Sequence, residues 1–302
     1  MGPEALYFRD LIGSYARGWG ESRCLAGLPS RREHALIPGM KQRDQIDHGV
    51  IYVATGADYR DLAVQSARSL RVHEPRLPVD LFTDDPDAVP EGLFEVVHRI
   101  QDPHERSKLD CMAESRFTRT LFLDCDTLVV NPLGDLWALL DRFDLALAHD
   151  VRRATDLIRA GHAVPTPYAF PQMNSGVLLY RRSPATKAFF ADWRARFTAS
   201  GLNRDQPVLK DILWESDIRF YVLPPEFNLR RVTELDAWEP GDAQPTIVHS
   251  HRLMDHMRNG TARIGDIDAL VEAERAALEA EWDRVGGRTA HPVRRFDPKA
   301  SR

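Results

Sequence analysis

Cysteine is scarce in this chain: Cys24, Cys111 and Cys125 are the only three in 302 residues, an odd number with no close-spaced pair. That argues against a disulfide framework and against a thiolate zinc site, and leaves the thiols as reduced bystanders. Long hydrophobic runs are missing too, and none approaches the roughly 20 residues of a spanning helix. Positive charge is not in excess: 40 Lys and Arg stand against 45 Asp and Glu, a net charge of -5. With no long basic stripe, nucleic acid is not expected as the main partner. Anionic small molecules stay open, because a bound divalent metal reverses the local sign of a site. The opening "MGPEALYFRDLIGSYARGWGESR" has charges throughout and no apolar core, so no secretory signal is read there and a cytoplasmic protein is the expectation.

What is present is an ordinary globular composition, 43% hydrophobic and 28% charged, which points away from disorder and from a membrane protein. The length suits one large domain with appendages, whose core needs no metal or disulfide to fold. Residues 1–48 read as an N-terminal extension: "EALYFRDLIGSYARGW" suits one amphipathic helix, and "LPSRREHALIPGMKQRDQIDHG" is polar and broken by prolines. Residues 49–258 read as the main folded domain, and residues 259–302 as an amphipathic helix with a loose tail.

Within the central part, "GVIYVATG" predicts a buried strand ending at Gly56, "DLAVQSARSLRVH" a helix with Leu62, Ser66, Ala67 and Leu70 on one face, and "VDLFTDD" a second strand. A strand, a helix and a strand in that span make a βαβ unit and hence a parallel sheet. Alternation continues with "RSKLDCMAESRF" as helix, "RTLFLDCD" as strand, "GDLWALLDRF" as a short helix and "DLALAHD" as strand. Residues 151–171 carry Arg152, Arg153, Arg159 and His162 without a clear period, and read as a loop or lid. "NSGVLLYRRS" is a strand; Ser183-Pro184 then opens a helix that Gly201 closes, with Phe189, Trp193 and Phe197 at four-residue spacing. Asp205 suits the cap of "QPVLKDILW", "IRFYVLP" and "PTIVHSH" are late strands, and the last helix places Ile264, Ile267, Val271, Leu278, Trp282 and Val285 on one side.

The chemistry centres on "TRTLFLDCDTLVVNP", where Asp124 and Asp126 follow the apolar Leu121-Phe122-Leu123. In an open α/β sheet the ligand crevice lies beyond the carboxyl ends of the strands, where these two aspartates fall. Buried carboxylates need cations, donors or water, and a D-x-D turn can hold a hard cation such as Mg²⁺ or Mn²⁺ together with phosphate oxygens. An isolated D-x-D is short and common, and as a solvated turn it needs no metal at all.

Four ordered blocks, spanning Val50 to Leu253, resemble the nucleotide-sugar glycosyltransferases of the GT-A fold, in particular family 8, the glycogenin-like and bacterial lipopolysaccharide galactosyltransferase group. "GVIYVATGADYRDLAVQSARSL" is similar to the family's first strand and nucleotide-binding turn, and "SKLDCMAESRFTRTLFLDCDTLVV" to its helix and D-x-D strand. "MNSGVLLYRRS", with "DQPVL" following, is similar to its Asn-x-Gly block, and "TIVHSH" to the strand whose histidine completes a metal site. The resemblance implies a Rossmann-like, mostly parallel central sheet flanked by helices. It implies that Asp126 and His249 ligate Mn²⁺ or Mg²⁺, with Asp124 on the metal or the ribose; imidazole beside carboxylates suits Mn²⁺ better than Mg²⁺. His251 competes with His249 for that role. Ala54 and Thr55 would meet the base through their backbone, Tyr59 would stack on it, Lys108 would face the sugar or diphosphate, and Asn174 and Gly176 would line the sugar pocket. Asp205 and Gln206 would lie on the acceptor side near the anomeric carbon, with helix capping as their plain alternative.

The activity implied is transfer of a sugar, with retention, from a nucleoside diphosphate donor, a UDP-sugar favoured, to a hydroxyl acceptor that is a glycan or small molecule. No transmembrane segment is expected, and a homo-oligomer stays open. Two departures stand out. Gly56 occupies the place where the family has an Asp that reads uracil, and "HSHRLMDHMRNG" lacks the lysine that clamps the diphosphate, for which Arg258 or the arginines of 151–171 are substitutes. The alternatives are a sugar-nucleotide-binding protein without turnover and a D-x-D phosphatase of the haloacid-dehalogenase type. For the latter, Asp124-Cys125-Asp126-Thr127 comes too late in the chain and without the glycine that should follow. A nucleotidylyltransferase would need a Gly-rich basic loop that "IYVATGADYRD" does not have.

Overall fold

The computed structural model describes residues 47–153 and 155–286. The helix expected in residues 1–48 and the loose tail after Gly286 lie outside the described residues, apart from positions 47 and 48. Strand β1 (His48–Ala54) is followed by helix α1 (Ala57–His73), β2 (Val79–Thr83) and β3 (Val96–Arg99). After the short helix α2 (Lys108–Cys111) come β4 (Arg119–Leu123), β5 (Thr127–Val129) and β6 (Leu145–His149). The four-residue helix α3 (Asp156–Arg159) precedes β7 (Met173–Arg181), α4 (Pro184–Ser200), α5 (Gln206–Glu215) and β8 (Phe220–Val222). The described chain ends with β9 (Ile247–His249), α6 (Asp255–Asn259) and α7 (Ile267–Arg284).

Seven strands form one sheet in the order β3-β2-β1-β4-β7-β6-β8, and β5 pairs with β9 in a second, two-stranded sheet. Within the large sheet β7 alone runs against its neighbours, pairing antiparallel with both β4 and β6, while the remaining pairs are parallel. The sheet is therefore mostly parallel, as expected. Because side chains alternate across a strand, β4 supplies both faces. Leu121 and Leu123 pack with Leu62 and Leu70 of α1, and Phe122 packs with Trp193 of α4 and Leu209 of α5 on the other side. The three-layer arrangement buries both faces, which is why these strands read as continuous apolar runs.

The signals at α4 act as expected. Ser183 and Thr186 form a reciprocal capping box, Pro184 opens the helix, and Gly201 ends it at φ 65°. Three segments differ. The stretch 106–117 is not a full helix: α2 has four residues and runs into a 3-10 turn at Met112–Glu114, and Leu136–Asp141 is likewise a 3-10 turn. Such segments need only one turn of periodicity to look helical. On α7, Leu270, Val271 and Glu274 are the buried positions, whereas Val285 is exposed and Ile264 precedes the helix. Among the described residues no helix is long and apolar enough to cross a membrane.

Candidate functional site

Strand β4 ends at Leu123 and the chain turns before β5, which places Asp124, Cys125 and Asp126 beyond the carboxyl edge of the sheet. A buried relay of hydroxyls shapes that turn: Tyr52 to Ser66 (3.0 Å), Ser66 to Thr127 (2.7 Å), and Thr127 Oγ1 donating to the Asp124 carbonyl (2.8 Å). Cys125 turns inward toward the Val53 carbonyl, and burial, with Asp124 and Asp126 adding to it, pushes its thiol well up, so it stays protonated. Its two neighbours are left to face the crevice.

The β5–β9 pairing sets Thr127 opposite His249, which brings the imidazole to the D-x-D turn from 122 residues down the chain. One ligand atom each of Asp124, Asp126 and His249 lie within 4.8 Å of one another. His249 Nδ1 is 3.0 Å from Asn228 Oδ1, and Asn228 spends its amide group on Asn174 Oδ1, also at 3.0 Å. With its oxygen turned to Nδ1, Asn228 accepts a hydrogen bond from the Nδ1–H, and in the neutral ring this leaves a lone pair on Nε2. That lone pair faces Asp126 Oδ1 at 3.2 Å, acceptor to acceptor. Such a pair requires a positive charge between or beside it, and nitrogen with two carboxylates is a donor set suited to Mn²⁺ or its relatives. Burial would raise the Asp126 carboxyl, and positive charge on the His249 side, followed by Arg230, brings it below the usual carboxylate range, the part that a bound cation would play beside a neutral imidazole. The residues thus fit a divalent cation.

Gly176 makes this approach feasible. A Cβ there would lie 2.1 Å from His249 Cε1 and 2.6 Å from Asp124 Oδ2, and the Gly176 carbonyl accepts from the Asp124 amide at 2.7 Å. Asn174 Oδ1 also accepts from the Gly176 N–H (3.0 Å), so Asn174 links the glycine to Asn228 and the histidine.

On the other flank, Lys108 Nζ donates to Asp124 (3.3 Å) and to Ser175 Oγ (3.0 Å), and lies 3.6 Å from Asp205 Oδ2. Burial would lower its pKa, but Asp124 and Asp205 raise it, so it is a cation. Asp205 makes no capping bond on α5. Its carboxylate accepts from Ser175 (2.8 Å) instead, and Lys108, Ser175 and Arg106 outweigh burial to keep it ionised. Gln206 donates its amide to Asp150 (2.6 Å), at the end of β6.

The register of β1 against β4, Tyr52 opposite Leu123, sets Ala54 and Thr55 at the same sheet edge as Asp124. Ala54 is buried and offers backbone only, and Tyr59, in the first turn of α1, is 43% exposed. His251 is exposed and outside the three-ligand group. Arg258 contacts Met254 Sδ, and Arg152 pairs with Glu281, so their recorded partners lie away from the cluster. Besides Lys108, a second cation beside the cluster is Arg230, which donates to the His249 carbonyl (3.0 Å) and approaches Asp150 Oδ1 at 3.9 Å. Sequence reasoning missed Arg230, Asn228, Ser175 and Asp150. Asp150 alone had a signal, since it ends a strand just as Asp124 does.

Residues 118–259 match the family model described as nucleotide-diphospho-sugar transferase. Over this segment the chain is similar to that transferase family. The segment holds the whole of the Asp124, Asp126 and His249 cluster. No curated protein matches the sequence. Among solved structures, the chain is similar to the glycosyltransferase GlyE of Streptococcus pneumoniae TIGR4, with 16% identity, a TM-score of 0.51, and coverage of 80% of this chain and 64% of that one. The galactosyltransferase LgtC in complex with donor and acceptor sugar analogs aligns at 16% identity and a TM-score of 0.49, over 82% of this chain and 99% of that one. The chain spans 64% of the length of GlyE, and at this identity the likeness establishes the GT-A-type fold alone.

Proposed function

We propose that the protein is a metal-dependent glycosyltransferase, moving a sugar from a nucleoside diphosphate sugar to a hydroxyl of a glycan or small-molecule acceptor. The observation behind this is the convergence of Asp124, Asp126 and His249 from distant strands, with His249 Nε2 and Asp126 Oδ1 facing each other at 3.2 Å inside the segment similar to the transferase family. These three side chains would hold the cation, Mn²⁺ in preference to Mg²⁺. A bound divalent cation supplies Lewis-acid neutralisation of charge on the leaving diphosphate.

The chain's own groups provide the rest. Lys108 stays protonated between Asp124 and Asp205, adding fixed positive charge at the diphosphate or sugar side. Asn174 and Gly176 line the sugar pocket, where the glycine leaves room for backbone approach. Ala54 and Thr55 meet the base through backbone groups, and Tyr59 offers a ring face. Gln206 uses its amide on Asp150, so its oxygen is the end that turns to the acceptor side. Asp205 is tied to Ser175 and Lys108 and is not a free nucleophile. That argues against a protein-bound intermediate; retention itself rests on the family resemblance, and it would then have the leaving phosphate take the acceptor proton. A UDP-sugar is the favoured donor.

Calorimetric titration of UDP, GDP, CDP and dTDP with Mn²⁺, and again with EDTA, on wild type and Asp126→Ala tests this. One nucleotide should bind with metal only, and the variant should lose it. Absence of nucleotide binding under every condition would overturn the reading. Proton NMR of the first product checks retention, which an anomer opposite to the donor's would exclude.

A further inference from the structure

Strands β1 and β2 run parallel with Ala54 opposite Thr83, so the chain leaves both at one edge and Gly56 comes beside Asp84. The Gly56 N–H points at both carboxylate oxygens of Asp84, at 3.1 and 3.2 Å. Gly56 has φ 82°, and a Cβ built there meets nothing within 4 Å. Conformation, not crowding, therefore calls for the glycine, and the space beside the turn is open. The two oxygens are unequally engaged. Oδ1 also accepts from Arg60 Nη1 at 2.6 Å and Thr83 Oγ1 at 3.2 Å, whereas Oδ2 accepts only the Gly56 N–H among the described residues. The Asp84 side chain is 29% exposed.

We infer that Asp84 reads the base of the nucleotide donor, accepting one hydrogen bond from a ring N–H at Oδ2 and so selecting a uracil-type base. This rests on the transferase reading above. An ionised carboxylate only accepts. Uracil and thymine present N3–H to it, while cytosine presents a lone pair at the same ring position and would be repelled. Guanine offers an N1–H and an N2–H that together call for both carboxylate oxygens, and Arg60 already occupies Oδ1. Arg60 and the Gly56 N–H also hold Asp84 below its ordinary pKa against the opposing effect of burial, so the acceptor is constant at neutral pH. Tyr59 lies three residues past Gly56 in the first turn of α1 and is 43% exposed, which leaves an aromatic side chain open to solvent near in sequence to the turn. The acid absent from position 56 is thereby supplied from the neighbouring strand, and the turn can keep its glycine.

The test compares UDP, CDP and UDP methylated at N3 by calorimetry with Mn²⁺, on wild type and on Asp84→Ala. Wild type should prefer UDP over each of the others by about tenfold or more, as expected when a site built to take a donor meets a ligand without one. In Asp84→Ala the three affinities should converge. Equal binding of UDP and its N3-methyl form by wild type, a comparison that needs no folded variant, would overturn the inference. So would an Asp84→Ala protein that keeps the wild-type ratios, since the methyl would then be sensed elsewhere. Nucleotide binding without discrimination removes only the role of Asp84, whereas no metal-dependent binding of any nucleotide removes the transferase reading beneath it.

Discussion

At the scale of single residues, His249 shows how much a ligand depends on what stands behind it. Its Nδ1 is held by Asn228, and Asn228 is held by Asn174, so the ring orientation is set by two amides from other segments. Removing such a support typically costs roughly 10–100-fold in metal affinity. Asn228→Ala should therefore lower Mn²⁺ affinity by about that factor with the folded state retained, while His251→Ala should leave it unchanged because His251 is exposed and outside the cluster. Equal losses in both variants, measured by Mn²⁺ titration, would contradict the assignment. Asp124 and Asp126 stood out in the sequence because they follow an apolar strand, and His249 through the resemblance of "TIVHSH" to the family's histidine strand. Asn228 was not: it lies in an irregular stretch whose partners come from β7 and β9, and no local pattern marks it.

At the scale of elements, signals confined to one turn were readable and those built from distant segments were not. Ser183, Pro184 and Gly201 delimit α4 by backbone chemistry alone. The segment 151–171, in contrast, read as a loop or lid for want of a period, and its order comes from α5. Asp211 Oδ2 accepts the amides of His162, Ala163 and Val164 at 3.0, 2.6 and 3.3 Å, and Lys210 Nζ donates to the Arg159 carbonyl. Gly161 fits against the same carboxylate, where a Cβ would come within 2.0 Å of Oδ1. Asp211→Ala leaves three amides without their acceptor, a change expected to cost about 1–3 kcal/mol. Limited proteolysis should then cut within 160–167 faster than in wild type, with α5 itself intact. Unchanged cleavage would mean that the loop is held by other contacts. The same logic ties α7 to the site: its buried Glu274 accepts from Ser250, the residue after His249, a link that the apolar periodicity of the helix gave no reason to expect.

At the scale of the whole molecule, the net charge of -5 hides a set of paired acids whose titration shapes stability. Asp80, Asp84, Asp144 and Asp205 are each lowered below the ordinary carboxylate value because hydrogen-bonding and cationic partners outweigh burial, His98 and Arg116 for Asp80 and arginine, lysine, serine or backbone groups for the others. For a lowered acid, the unfolded chain binds protons first as pH falls, so stability is present above the unfolded pKa, near 4, and is lost through the folded values below it. His149 and, more weakly placed at the surface, His251 are also lowered, by burial that is only partial for the exposed His251 and by Arg153 and Arg252 respectively, and they stay neutral in the fold where the unfolded chain takes up a proton. Their contribution has the same sign but begins near pH 6.5, the ordinary histidine value. Lys108 is raised, so its contribution is complete below about pH 10 and declines only in stronger base. The urea midpoint, measured in EDTA at constant ionic strength, should thus be flat only from about pH 7 to 8, fall above that as the unfolded chain ionises the thiols of Cys111 and Cys125 that the fold keeps protonated, fall slightly between about pH 6.5 and 5, and fall steeply below about pH 4. A midpoint that rises on going from pH 7 to 5 would show that some acid in the fold is raised strongly enough to offset both histidines. Glu234, whose carboxyl burial raises in spite of Arg231 and Arg153, is the residue to replace in that case.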